Sequence, residues 1–277
     1  MLFRSNPVWV RDAAAGLGIA LRLVSGEDGV ACGLRITCPG NDADFARLEN
    51  ALRATLAPEA LLFDMDGVLA DVSQSYRAAI RETAKSFGVD VPPAEIAAAK
   101  AAEGANDDWT VTQRLLAAHG VDADLAEVTG RFEALYQGSA QRPGQRETET
   151  LIPTRACLQE LAARLPLGIV TGRPRADAAR FLARAGVADL FRVTVAREDA
   201  PLKPDPAPVR LALARLGVGS AWLVGDAPDD LRAARAAGVL PLGFLPPGAA
   251  ADATGWLHQA GAARVFTALD QLKELLP

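Results

Sequence analysis

Three short apolar runs in this chain each end abruptly in a polar residue near a glycine, and this repeated junction constrains the fold more than any other feature. The runs and their junctions are 61–63 with Asp64, 167–170 with Thr171, and 221–224 with Asp226. In open parallel α/β sheets, the reactive groups gather in a crevice at the carboxyl ends of the strands. We therefore expect the three junctions, although far apart in sequence, to converge on one site.

The second half of the chain alternates strand-like and helix-like segments. The expected helices are 155–165, 175–185, 205–216 and 229–237, and the expected strands are 167–170, 191–196, 221–224 and a last one near 239–245. Alternation of this kind predicts an α/β fold in which helices cover both faces of a parallel sheet. The stretch 255–258 carries no recognisable signal.

Asp64 and Asp66 follow the first apolar run and precede Gly67. Carboxylates are costly to bring to the edge of a packed core, so such a pair favours a cation site or a reaction that uses a nucleophile and an acid/base. A capped helix start is the structural alternative, because Asp is favoured at such positions. For Lys203, in the segment 202–206, the alternative is a solvated loop lysine.

Read in order, the segments DxDGVL, Thr-Gly, Lys-Pro and GDxxxD resemble the four motifs of the haloacid dehalogenase superfamily, and in particular its phosphoglycolate-phosphatase-like members. The resemblance covers roughly residues 60–277. It implies a Rossmann-like parallel core, a helical cap inserted after the first motif, and a Mg²⁺-dependent phosphatase that forms an aspartyl-phosphate.

The resemblance also implies roles for individual residues. Asp64 would attack phosphorus, and Asp66 would protonate the leaving oxygen and later activate water. Asp64, the backbone carbonyl of Asp66 and Asp226 would hold Mg²⁺. Lys203 would bind the nucleophile and the phosphoryl oxygens, while Thr171 and the amide of Gly172 would donate hydrogen bonds to the transferring group.

Three further residues near the motifs have competing interpretations. Asp230 holds the last position of GDxxxD and is expected to support the metal or Lys203. Its neighbour Asp229 could equally be a helix cap, since acids complement the helix dipole. Arg173 is a candidate for substrate binding, but with Pro174 it could simply open the next helix.

The inserted cap is expected between residues 72 and 150, with helices near 72–87, 94–102, up to 116, and 124–136. In related enzymes a cap loop reaches over the phosphate and contacts the leaving group. Lys100, Asn106 and Trp109 are therefore the specificity candidates, and solvated polar residues beside a packed indole are the alternative. Pro and Gly within 142–146 indicate the hinge by which the chain returns to the core.

Residues 1–57 do not follow the α/β pattern. A helix at 8–16, strands at 19–24 and 33–37 and a helix at 42–56 predict a small αββα segment. The stretches 18–22 and 34–37 resemble the C-terminal tail of histidinol-phosphate-type aminotransferases, in which the counterpart of Arg35 helps to bind the anionic substrate. An unrelated docking module is the alternative. The predicted domains are thus 1–57, a core of 58–71 and 151–277, and a cap of 72–150.

Composition limits the partners. A formal charge of −5 and a pI near 5.2 give no electrostatic footprint for nucleic acid. No apolar stretch reaches the ~18 residues of a membrane span and no signal peptide is recognisable, so a cytoplasmic protein is expected. Three cysteines without CxxC spacing indicate reduced thiols. The two histidines lie far from the motifs, which leaves carboxylates to move protons.

The expected function is hydrolysis of a small phosphorylated metabolite, with phosphoglycolate or histidinol phosphate as candidates. A phosphomutase that uses the same core residues and a non-catalytic binding module are the alternatives. The sequence does not specify the oligomeric state; a homo-oligomer and contact with an aminotransferase module are the two hypotheses for protein partners.

Overall fold

The computed structural model describes residues 6–26, 29, 31–102, 107–249 and 252–276. Its strands are β1 (Arg22–Ser25), β2 (Ala31–Arg35), β3 (Leu61–Phe63), β4 (Ala70–Asp71), β5 (Thr150–Leu151), β6 (Leu167–Val170), β7 (Phe191–Val195), β8 (Trp222–Gly225), β9 (Leu240–Phe244) and β10 (Arg264–Phe266). Its α-helices are α1 (Pro7–Gly16), α2 (Asp42–Leu56), α3 (Tyr76–Ser86), α4 (Pro93–Ala101), α5 (Asp108–Ala118), α6 (Leu125–Gln137), α7 (Arg155–Arg164), α8 (Arg175–Arg184), α9 (Ala207–Leu216), α10 (Pro228–Ala236) and α11 (Ala253–Gln259).

The main sheet is parallel throughout, with the strand order β10-β9-β8-β3-β6-β7. This arrangement confirms the predicted α/β fold. β3 is fully buried, as is typical of a parallel strand covered on both faces. From β3 the chain continues to β6 and β7 on one side and then to β8 and β9 on the other. The carboxyl ends of β3, β6 and β8 therefore border the crevice at which such sheets bind ligands.

The prediction that the strand near 239–245 is the last one was wrong, because β10 follows it and pairs with β9. β10 has three residues, Arg264-Val265-Phe266, at the edge of the sheet. A run this short has no readable period, and its pairing with β9 specifies it as a strand.

Four helices, α3 to α6, lie between β4 and β5, and they pack mainly on one another. Their shared core includes Ile80, Leu116, Val128 and Phe132, which are all buried. The chain leaves for this helical layer and returns from it through the antiparallel pair β4–β5. Residues 142–146 lie between α6 and β5, and Pro143 pairs with Gly138 after the end of α6; their role as the return hinge stays a prediction.

The N-terminal segment has the expected order α1-β1-β2-α2, with β1 and β2 forming an antiparallel hairpin. It packs on the sheet through two tryptophans. The rings of Trp9 and Trp222 meet edge to face at 5.5 Å, and Trp222 Nε1 donates to the carbonyl of Ala54 at 2.7 Å. The segment and the sheet consequently share one hydrophobic core. The division of the chain into three domains stays a prediction.

Among the described residues, no helix combines the length and the apolar character that a membrane crossing requires.

Candidate active site

The first motif is placed by the end of β3. The amide of Asp64 donates to the carbonyl of Val224 at 2.9 Å, so the turn after β3 stays attached to β8. Gly67 then reverses the chain with a φ of +75°, a conformation that favours glycine. A Cβ at Gly67 would also overlap the carboxylate of Asp226. Glycine is thus required here both by the turn and by the close approach of an acid.

Three carboxylates meet beside this turn. Single oxygens of Asp64, Asp226 and Asp230 all lie within 4.8 Å of one another. Asp230 reaches the group from the first turn of α10, where its Oδ2 accepts from the amide of Ala227 at 3.0 Å. A Cβ at Gly225 would overlap the side chain of Asp230, so this glycine permits the approach of α10. The structure therefore brings together three of the residues predicted to serve a metal.

Lys203 is the buried cation of this cluster. Its Nζ lies 2.6 Å from Asp64 Oδ1, 2.6 Å from Asp230 Oδ1 and 3.0 Å from the carbonyl of Val170. Burial opposes its charged form, but Asp230 and Asp64 outweigh burial and raise the pKa of Lys203 above the ordinary value. Lys203 is 3% exposed, which excludes the solvated loop lysine that was the alternative.

The pKa values of two of these acids are raised, as is expected where several carboxylates are buried together without enough cations to neutralise them. Burial raises the pKa of Asp64 to about 7, against the opposing effect of Lys203. Burial, together with Asp230 and Asp64, also raises the pKa of Asp226 well above its ordinary value. One lysine does not neutralise three carboxylates, and a set of hard oxygen donors suits Mg²⁺. The residues present fit the predicted metal, with Asp64, Asp226 and Asp230 able to hold it.

The second motif follows β6. The amide of Thr171 donates to the carbonyl of Val195 at 2.9 Å, and its buried hydroxyl accepts from the amide of Arg173 at 3.1 Å. Gly172 lines the same cavity as Asp64, Asp66 and Asp226. The three junctions of the parallel sheet thus border one cavity, as their sequence pattern predicted.

Arg173 is buried and already paired with two acids, unlike an arginine whose guanidinium is open to a substrate. It is 2% exposed, and its Nε lies 2.5 Å from Asp66 Oδ1. Its Nη1 and Nη2 donate to the two oxygens of Glu149 at 2.9 and 3.1 Å. The predicted role in substrate binding stays untested, but these contacts direct the guanidinium to Asp66 and Glu149.

The helical layer supplies one wall of the cavity. Lys100 lines it and forms an ion pair with Asp108, with 2.8 Å between Nζ and Oδ1. Burial opposes the charged form of Lys100, yet the carboxylates around it raise its pKa. Trp109 lines a neighbouring pocket with Asp66 and donates from Nε1 to Glu133 at 3.1 Å. The third specificity candidate, Asn106, lies outside the described residues.

Sequence reasoning missed several residues that line the cavity, among them Arg77, Asp108 and Trp256. Arg77 stands in the first turn of α3, with Nη2 at 4.0 Å from Asp226 Oδ2. A basic residue soon after DxDG is a weak signal that could have been used. Trp256 belongs to α11, whose sequence matches no motif. Asp229, whose function was left open, forms an ion pair with Arg232 at 3.1 Å.

A family comparison covers most of the chain. The family model described as haloacid dehalogenase-like hydrolase matches residues 58–238. Two solved structures share the fold. A hydrolase from Pseudomonas syringae has a TM-score of 0.61 at 23% identity and covers 78% of this chain and 97% of its own. A HAD family hydrolase from Deinococcus radiodurans R1 has a TM-score of 0.60 at 24% identity, covering 80% and 98%.

Curated relatives are more similar in sequence. An imidazoleglycerol-phosphate dehydratase from Phytophthora nicotianae is 46% identical over 237 residues, which are 79% of this chain and 52% of that protein. The chain thus spans about half the length of that relative. A phosphoglycolate phosphatase from Rhodospirillum rubrum is 35% identical over 198 residues, 66% of this chain and 77% of that enzyme.

These matches confirm the predicted superfamily and its hydrolase fold, and the phosphoglycolate phosphatase relatives support the prediction of a phosphoric monoester hydrolase. The aminotransferase resemblance of residues 1–57 stays a prediction. Four motifs in the expected order, a parallel sheet that brings them to one cavity, and a family match over 58–238 lead to one conclusion. The chain belongs to the haloacid dehalogenase-like hydrolase family.

Proposed function

We propose that this chain is a Mg²⁺-dependent phosphatase that hydrolyses a small phosphorylated metabolite through an aspartyl-phosphate on Asp64. The observation that carries the proposal is the position of Asp64. Its carboxylate is buried at the carboxyl end of β3, 2.6 Å from Lys203 Nζ and within a cluster of acids. Such a site suits a nucleophile that must meet a phosphoryl group of like charge, because the cations around it offset the repulsion.

The reaction divides into two displacements. In the first, an Asp64 oxygen forms a bond to phosphorus, the bond to the leaving oxygen breaks, and Asp66 supplies the proton that this oxygen takes up. In the second, Asp66 removes a proton from water, which attacks phosphorus, so that inorganic phosphate leaves and Asp64 is restored. When bound, Mg²⁺ would neutralise charge on the phosphoryl oxygens. Lys203 keeps Asp64 oriented through the contact at 2.6 Å.

The cavity wall supports a substrate that carries a second anionic group. Arg77 and Lys100 both line the cavity on the side of the helical layer. The carboxylate of phosphoglycolate, the substrate named for the Rhodospirillum rubrum relative, suits these cations. We therefore place phosphoglycolate first. Histidinol phosphate remains the second candidate because of the N-terminal aminotransferase resemblance.

A substrate panel tests the proposal. Phosphate release from phosphoglycolate, histidinol phosphate and p-nitrophenyl phosphate should depend on Mg²⁺ and be lost in Asp64→Asn. Retention of activity in folded Asp64→Asn would contradict the covalent mechanism. Accumulation of an isomerised sugar phosphate from a sugar phosphate substrate would indicate a phosphomutase, and no turnover of any phosphomonoester would indicate a binding module.

The proposed preference for phosphoglycolate can be tested at Arg77, and the same helix offers a matched control. Arg77→Ala should raise KM for phosphoglycolate more than for p-nitrophenyl phosphate, because the aryl ester has no carboxylate. Arg81→Ala is the control, since Arg81 pairs with Glu82 on the outer surface of α3 at 3.3 Å and does not line the cavity. Equal changes in KM for both substrates would argue against carboxylate recognition by Arg77.

A further inference from the structure

A buried glutamate outside the four motifs lies at the base of the helical layer. The side chain of Glu149 is only 2% exposed and precedes β5. It accepts four hydrogen bonds, from Ser75 Oγ at 2.9 Å, Tyr136 OH at 3.1 Å, and Arg173 Nη1 and Nη2 at 2.9 and 3.1 Å. A buried carboxylate is tolerated when it is paired and fully hydrogen-bonded, as here.

The arginine of this network is fixed on every side. Glu149 holds both terminal nitrogens of Arg173, a two-point contact that sets the plane of the guanidinium. The rings of Tyr76 and Phe181 lie 4.9 and 5.4 Å from its central carbon. The remaining nitrogen, Nε, lies 2.5 Å from Asp66 Oδ1. The orientation of Asp66 is therefore linked to Glu149 through a rigid arginine.

We propose that Glu149 is a positioning residue for the proton transfer by Asp66, a role that rests on the proposed phosphatase function. Glu149 fixes Arg173, and Arg173 Nε holds Oδ1 of Asp66, so that Oδ2 is the oxygen that exchanges the proton with the leaving group. Asp66 itself lines the cavity, and its side chain is 30% exposed, which leaves it free to rotate without this contact. Catalysis loses efficiency when an acid is no longer held within reach of its proton acceptor.

The network also connects parts of the chain that are distant in sequence. Ser75 precedes α3, Tyr136 lies near the end of α6, and Glu149 lies just before β5. Ser75 follows β4 and Glu149 precedes β5, the antiparallel pair through which the chain enters and leaves the helical layer, and Tyr136 belongs to that layer. The layer and Asp66 are thus connected by direct hydrogen bonds and by the ion pairs of Arg173 with Glu149 and with Asp66.

The test uses leaving groups that differ in their need for a proton. In Glu149→Gln, one amide oxygen replaces two carboxylate oxygens, and the amide nitrogen faces the donors of Arg173. We expect kcat/KM for phenyl phosphate to fall about 10²-fold, the lower end of what general acid–base catalysis contributes. For 2,4-dinitrophenyl phosphate, whose leaving group departs without a proton, kcat/KM should stay close to that of the wild type.

Two further variants keep the test decisive. Glu147→Gln is the control, because Glu147 is in the same segment but is half exposed and pairs with Arg184 on the surface. If Glu149→Gln does not fold, Tyr136→Phe removes one donor to Glu149 while keeping the ring, and it should show the same dependence on the leaving group to a smaller degree.

The results of these assays distinguish the positioning role of Glu149 from the phosphatase function on which it rests. Equal losses on both esters, or no loss on either, would overturn the positioning role while leaving the phosphatase function intact. Asp66→Asn should reproduce the leaving-group dependence of Glu149→Gln, because both variants act on one proton transfer. A wild-type protein that hydrolyses neither of these esters nor any phosphomonoester of the substrate panel would overturn the phosphatase function and, with it, the positioning role.

Discussion

Replacing Trp9 with alanine should destabilise the protein without changing its chemistry. Trp9 is 3% exposed, and its ring packs edge to face on Trp222, which begins β8 and is fully buried. Asp226 follows the opposite end of that strand, so the contact is separated from the reacting groups. The variant therefore tests whether the N-terminal segment contributes to stability alone.

The size of the effect follows from the burial of the ring. A buried tryptophan removes roughly 150–250 Å² from water, which at about 25 cal/mol per Å² corresponds to roughly 4–6 kcal/mol. Measured Trp→Ala changes in cores cost about 3–5 kcal/mol, and we expect the free energy of unfolding to fall by that amount. For a chain of this size the melting temperature should fall by roughly 6–20 °C.

Thermal unfolding followed by circular dichroism, with phosphate release measured well below the transition, gives the two readouts. Phe45→Ala is the matched control, because Phe45 lies in the same segment, on α2, and is 49% exposed. It should change the free energy of unfolding by less than about 0.5 kcal/mol. An unchanged melting temperature for Trp9→Ala, or a folded variant without turnover, would refute the reasoning.

Three further predictions concern the site. Asp64→Asn should abolish turnover, and Asp66→Asn should lower it by roughly 10²–10⁴-fold in phosphate-release assays on folded protein. Activity should require Mg²⁺ and fall when Ca²⁺ replaces it, because the larger ion accepts more oxygens and can engage both oxygens of Asp64; full activity in chelator would contradict this. Since burial raises the pKa of Asp64 to about 7 and also raises that of Asp226, ionisation of both is disfavoured in the folded metal-free protein. Its stability should therefore fall as the pH rises from about 4 to 7, and Mg²⁺ should raise the melting temperature more at pH 8 than at pH 5. Equal effects of Mg²⁺ at the two pH values would argue against a metal held by these acids.

Much of the fold could be predicted because buried parallel strands are nearly continuous apolar runs. The strand 167–170 matches the structure, and 221–224 differs from β8 by one residue at each end. The two-residue strands β4 and β5 and the edge strand β10 could not be predicted. Strands this short are specified by the strands they pair with in the folded chain. Because those partners are distant in sequence, the local sequence gives no information on the pairing.

The residues of the site likewise divide into those that the sequence predicts and those that only the folded structure reveals. Asp64 and Lys203, 139 positions apart, were placed together because each stands in a recognisable motif. Glu149 and Trp256 have no such context. A single glutamate near a loop is most often a solvated charge, and only its burial and its four donors reveal another role. Residues that act through tertiary contacts are therefore the ones that sequence reasoning missed.

The charges around the cavity impose an order on binding. Asp64 must be ionised to attack phosphorus, and when all three carboxylates are ionised they leave, with Lys203 counted, a formal charge of −2, while Asp66 with Glu149 against Arg173 leaves a further −1. Arg77 and Lys100 line the cavity from the helical layer, where Arg77 lies 4.0 Å from Asp226 and Lys100 already pairs with Asp108. A phosphomonoester dianion that approaches Asp64 in the absence of a metal therefore meets a field of its own sign, which is strong where water is excluded. Because the metal must offset this field before the phosphate can bind, we expect Mg²⁺ to bind first and the affinity for phosphate to depend on it.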